Sequence, residues 1–200
     1  RRKNQKPISG KTYLITAESP GYEKLGAKTK VPQKPQVTIT KDTTSIIENL
    51  NWPIVDLNVW LTDQTSKNFY WLYRTHMVNG TKYSGGCSEI NAPYVDSFNR
   101  YIDSDSKYGF RHFLQIRMTD EGYNNQVWNF TIPDFVISGE YIAQHFLNAD
   151  EHYDKYIKTT LIKRMSENDD LPFYEPVQIY SNIENGYGIF GSCAITTIKL

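Results

Sequence analysis

The chain has no net charge to offer: Lys+Arg and Asp+Glu each number 22 among 200 residues. A neutral chain carries no electrostatic footprint for nucleic acid or for an anionic membrane surface. The one basic cluster, Arg1, Arg2, Lys3 and Lys6, lies at the start and reads as a frayed end. No run of apolar residues is long enough for a membrane-spanning helix, which needs about 18 or more. No apolar h-region follows the basic start, so it does not read as a signal peptide.

Cysteine is nearly missing, with only Cys87 and Cys193. Their spacing rules out C-x-x-C redox and zinc patterns. A disulfide closing so long a loop would stabilise by about 4–5 kcal/mol. Cys193 reads, however, as a small residue on a core strand, and two free thiols are expected.

Catalytic signatures are lacking as well. There is no Gly-x-Ser-x-Gly nucleophile elbow. His76, His112, His145 and His152 fall in neither H-E-x-x-H nor a Cys/His zinc spacing. His112 and His145 lie within expected strands, as structural imidazoles do. Gly186, Gly188 and Gly191 spell G-x-G-x-x-G, but they precede a terminal strand instead of opening a helix, so they read as turn glycines. Asp103 and Asp105 stand two apart as in calcium loops, without the third acid and the closing Glu, and read as a solvated turn. No catalytic, cofactor-binding or metal residue is assigned, and no cofactor is expected.

What is present in abundance is aromatic: 15 Tyr, 9 Phe and 4 Trp, 14% of the chain. Rings suit half-buried strand positions and also surfaces on which polar ligands stack. A ring-filled β core is the first reading. A binding platform is the second, with Trp52, Tyr94, Tyr101, Tyr108 and Tyr123 as its candidate rings.

Period-two alternation runs through most of the chain. Thr12 to Ser19 and Leu25 to Val31 flank Pro20-Gly21 and predict a hairpin. Val31-Pro32-Gln33-Lys34-Pro35 then breaks the pattern as an extended connector. Beyond it, strands are expected at Val37 to Ile39, Val55 to Thr62, Phe69 to His76, Thr81 to Ser84, Phe110 to Met118, Val127 to Ile132, Tyr141 to Leu147 and Ile189 to Leu200. Asn79-Gly80 marks a tight hairpin turn. A short helix is expected over Asp96 to Ile102. One segment has a clear helical period: Tyr153, Ile157, Leu161 and Met165 recur every four residues. Asp150 is the expected N-cap, Glu151 and Asp154 suit the first turn, and Lys163 and Arg164 suit the last. The fold expected is a mostly β, antiparallel sandwich-like domain with one principal helix over about Asp150–Met165. The expected division is 1–34, a remnant hairpin, and 35–200, a β-rich domain.

The string from Pro176 to Ser192, with Tyr174-Glu175 before it, resembles the closing signature of a family of Bacteroidetes lipoproteins numbered 4249 among the domains of unknown function. The preceding helix, with Tyr153-Asp154-Lys155-Tyr156, adds to the likeness, as do Gly10-Lys11-Thr12-Tyr13, Pro20-Gly21-Tyr22 and Val31-Pro32. In that family these last three motifs close an N-terminal transthyretin- or immunoglobulin-like sandwich, so residues 1–34 are expected to be the last hairpin of a truncated module. The resemblance brings no catalytic residues. It implies a non-catalytic cell-envelope protein, lipid-anchored in the outer membrane through an upstream segment, and accessory to a TonB-dependent receptor. A glycan- or peptide-binding surface protein is the alternative, and a hydrolase built from scattered acids and histidines ranks last.

Overall fold

The computed structural model describes residues 6–48, 52–78, 81–85, 87–88, 90–96, 112–113, 115–135, 141–168 and 177–200. Its strands, in chain order, are β1 (Thr12–Ala17), β2 (Leu25–Lys30), β3 (Gln36–Ile47), β4 (Trp52–Thr62), β5 (Phe69–Val78) and β6 (Thr81–Gly85). They continue as β7 (Cys87–Ser88), β8 (His112–Phe113), β9 (Ile116–Thr119), β10 (Val127–Phe135), β11 (Tyr141–Ala149) and β12 (Cys193–Lys199), with α1 (Glu151–Asn168) between the last two. The protein is thus mostly β, with 51% of it in strands and one described helix. Two compact units emerge, each built from two stretches: Arg1–Lys34 with Asn148–Ala194, and Pro35–Leu147 with Ile195–Leu200.

The second unit is the sandwich. One sheet has the order β10-β4-β3, and the other has β12-β11-β5-β6 with β9 also on β5. Alternation chooses the buried face: Val55, Leu57, Val59 and Leu61 of β4 point inward, as do Trp128, Phe130 and Ile132 of β10. Tyr70 and Leu72 of β5, Ile116 and Met118 of β9, and Phe146 of β11 meet them from the other sheet. Each such side chain contributes about 1.5–3 kcal/mol through removal from water. Antiparallel registers run Ile39↔Val59 and Phe130↔Val59 on the two sides of β4. Val78 pairs with Thr81, which leaves a two-residue connection at the Asn79-Gly80 signal. Pro133 is tolerated because β10 is an edge strand, where a missing N–H breaks no second ladder.

Three expectations change. β3 runs for 12 residues, well past Val37 and Ile39; threonines at 38, 40, 43 and 44 favour extended backbone without marking a buried face. The expected strand from Phe110 to Met118 divides into β8, which pairs with β7, and β9, which pairs with β5. α1 continues to Asn168, so its last turn holds no basic residue, and Lys163 and Arg164 lie before it. The helix expected over Asp96 to Ile102 falls almost wholly outside the described residues.

The first unit is held by hydrogen bonds between segments far apart in sequence. β1 and β2 pair from Thr12↔Lys30 to Ala17↔Leu25. Only the β2 side is buried, through Ala27 and Thr29. Asp150 caps α1 as expected, accepting the Tyr153 N–H at 2.8 Å on Oδ1. The same oxygen accepts the Ser192 N–H at 3.2 Å, while Thr29 Oγ1 donates to Oδ2 at 2.5 Å. One carboxylate therefore ties the hairpin, the helix start and the segment before β12 together.

Candidate functional site

Of the candidate rings, Tyr94 and Tyr123 are brought together, edge to face with centroids 5.6 Å apart. They do not form a platform. Tyr94 stacks on the buried Trp128 at 4.7 Å, and its hydroxyl donates to the Asn129 carbonyl at 2.5 Å while accepting the Asn129 N–H at 2.9 Å. The ring thereby covers the backbone of the β10 edge, as half-buried tyrosines on sheets often do. Val95, which bridges Met118, and the Asp96–Arg117 ion pair hold its loop. Trp52 begins β4. Tyr101, Tyr108, Asp103 and Asp105 lie outside the described residues.

The buried polar side chains of the sandwich are engaged with one another. Asp63 Oδ1 accepts the Tyr70 hydroxyl at 3.0 Å and an Asn68 amide proton at 3.3 Å; Oδ2 accepts the Asn125 N–H at 2.8 Å. Asp120 Oδ2 accepts the Asn68 N–H at 2.7 Å. Burial pushes the Asp63 carboxyl above its ordinary pKa, against the opposing effect of these hydrogen bonds. Burial also pushes the Tyr70 phenol well up, aided by the neighbouring Asp63 charge. Together these groups fasten the β4–β5 connection to the β9–β10 turn.

Deeper in the sandwich, Arg74 pairs with Asp134, their side chains 3% and 0% exposed. His145 lies between two hydroxyls, with Nε2 2.8 Å from Thr75 Oγ1 and Nδ1 2.9 Å from Thr197 Oγ1, and stacks on Tyr73 at 4.4 Å. It is the structural imidazole expected for a strand. On the opposite face of β11, Gln144 is 0% exposed, and neither atom of its amide finds a partner among the described residues. Alternation from Leu72 and Phe146 sets Arg74 and Gln144 on the inward face of the same sheet.

His152, in the first turn of α1, places Nδ1 2.8 Å from the Tyr180 hydroxyl. Cys193 is a free thiol, and burial raises its pKa. Gly186 to Gly191 open no helix and lead into β12, so they are turn glycines. Among the described residues, no group of three or more His, Cys, Asp or Glu could hold a metal ion, and no helix is long and apolar enough to cross a membrane.

The free surface rings are elsewhere, on two loops of the first unit. Tyr22, in the β1–β2 turn, is 82% exposed, and Tyr187 is 93% exposed. Their loops touch and are rigidly held. Glu184 N–H donates to the Gly26 carbonyl at 2.8 Å, and the Asn185 amide donates to the Lys24 carbonyl at 3.1 Å. Asn185 adopts φ 58° and Gly188 φ 130°, the left-handed region that Asn and Gly tolerate. Gly186 is closely packed: a Cβ would stand 3.0 Å from Leu25 Cδ2 and 3.2 Å from Ile183 Cγ2, so those side chains would have to shift. Neither ring was among the expected candidates. The available signal was a tyrosine beside turn glycines, in Pro20-Gly21-Tyr22 and Gly186-Tyr187-Gly188.

These features define a mostly β protein with an antiparallel sandwich unit and another unit, held internally by the Asp150 helix cap, that presents rings on braced loops. The chain belongs to the family described as a domain of unknown function (DUF4249), whose model matches residues 1–199. No curated protein and no solved structure matches it.

Proposed function

We propose that the chain is a non-catalytic recognition module of a Bacteroidetes cell-envelope lipoprotein, accessory to a TonB-dependent outer-membrane receptor. The setting comes from the likeness of the Pro176 to Ser192 string to that lipoprotein family. The recognition role rests on one contrast. The buried Asp63, Arg74, Asp134 and His145 are occupied in holding strands and loops, whereas Tyr22 and Tyr187 stand in solvent on braced loops. Rings held this way offer contact area at low entropic cost, because little freedom remains to be lost on binding.

Affinity capture from solubilised outer membranes tests the proposal. The full-length protein should fractionate with the outer membrane and bring down the receptor encoded beside it. Recovery from the cytosol, or capture without that receptor, would overturn it. The same exposed rings favour a glycan- or peptide-binding protein as the second reading, and binding to a defined oligosaccharide without any receptor would support that one.

A further inference from the structure

We propose that the two adjoining loops carrying Tyr22 and Tyr187 form a docking surface for a protein segment that presents Arg or Lys side chains. The proposal deepens the recognition reading above and rests on it for its biological setting. Three observations carry it. First, the two rings are the most exposed of the large hydrophobic side chains among the described residues. Each is two residues from the Asn185–Lys24 hydrogen bond that joins the loops, so both belong to one end of the unit. Secondly, the loops are preorganised. Asn182 Nδ2 donates to the Phe190 carbonyl at 3.0 Å, and its Oδ1 accepts the Phe190 N–H at 2.9 Å, closing the loop that carries Tyr187.

The third observation is charge. Glu18 is paired with Lys24 at 2.5 Å, so the only cation of the turn is already neutralised. Glu23 and Glu184 are exposed and make no ion pair among the described residues. Tyrosine faces beside free carboxylates attract a guanidinium or ammonium group twice, by the ring quadrupole and by Coulomb attraction. A neutral sugar would stack on the rings and donate its hydroxyls to the acids, but it would gain no Coulomb attraction between net charges. Loops of Tyr, Ser, Asn and Gly are also the composition that adapts to polypeptide surfaces.

The test titrates the isotopically labelled 200-residue protein with acetyl-Gly-Arg-Ser-Arg-Gly-amide and follows its amide chemical shifts. Saturable shifts confined to residues 18–24 and 182–190 are expected. Binding should weaken about tenfold in Tyr22→Ala/Tyr187→Ala, the loss expected for two exposed cation–π contacts. Glu23→Gln/Glu184→Gln should weaken it several-fold and flatten its dependence on salt. Unchanged spectra away from the loops would show that both double variants remain folded. Absence of a saturable shift there, or equal shifts with the Glu counterpart of the peptide or with maltohexaose, would overturn the assignment. Membrane capture of the wild-type protein judges the recognition reading independently, because it does not depend on which surface binds.

Discussion

The side-chain amide of Asn182 takes both backbone groups of Phe190, donating to its carbonyl at 3.0 Å and accepting its N–H at 2.9 Å. A side chain here does what a neighbouring strand would do for an extended residue. Asn182→Ala should cost about 2–3 kcal/mol, since two partly buried backbone groups lose their partners. Asn182→Asp should cost less, because the acceptor remains. Urea denaturation of the three proteins compares them, and an alanine variant as stable as wild type would refute the bracing role.

Gly191 packs against the start of α1. A Cβ at this position would stand 2.8 Å from the Tyr153 Cβ and 3.1 Å from its Cα. Backbone cannot retreat as a long side chain can, so Gly191→Ala should destabilise the protein by about 1–3 kcal/mol. Gly10→Ala provides a contrast, because nothing lies within 4 Å of its Cβ position and its cost comes from φ 78° alone. Thermal unfolding should reveal crowding only at position 191.

The Arg74–Asp134 pair joins the two sheets from inside. Arg74→Ala should cost about 3–5 kcal/mol by leaving a carboxylate buried and uncompensated, whereas Arg74→Met/Asp134→Leu should recover most of that loss. A double variant no more stable than Arg74→Ala would show that the pair does not act as a unit.

Gln144 offers the opposite sign. Its amide is fully buried with both polar atoms unmet among the described residues, so Gln144→Met, similar in volume and without those atoms, should raise the midpoint of denaturation. A destabilised variant would reveal that the amide holds a bound water or solute.

Tyr70 makes stability sensitive to alkali. Its folded pKa lies well above the ordinary 10.0, so the unfolded chain loses this proton first as pH rises. The native state then holds more protons than the unfolded state, and stability falls with rising pH above about 10. Asp63 acts in the same direction at low pH, because its raised carboxyl makes the contribution of that group most favourable below 3.8 and lost as pH climbs past it. Tyr70→Phe should flatten the alkaline slope in guanidinium titrations between pH 9 and 11, and an unchanged slope would contradict the assignment.

The sandwich was legible where one face is apolar. Val55, Leu57, Val59 and Leu61 specify β4 by alternation, and Tyr153, Ile157 and Leu161 with the Asp150 cap specify the helix. Most of β3 was not legible, because threonines extend a strand without telling inside from outside. The Asp63–Tyr70–Asn125 cluster and the Arg74–Asp134 pair were hidden for another reason: their members stand far apart in sequence, and only tertiary pairing gives them meaning. Tyr22 and Tyr187 escaped notice because their exposure depends on how two turns meet. Tyr94 and Tyr123 stood out as rings, yet their surroundings made them part of the wall.

Asp150 touches Thr29 and Ser192, which lie 121 and 42 residues away from it along the chain. This sets a chronology for biosynthesis. The β1–β2 hairpin leaves the ribosome before the sandwich strands, but it has no carboxylate to receive Thr29 until Asp150 emerges and no Ser192 until α1 has followed. Closing so distant a contact is entropically slow, and all of the intervening sandwich can order before it. The β1–β2 hairpin is therefore secured later than strands that are synthesised after it.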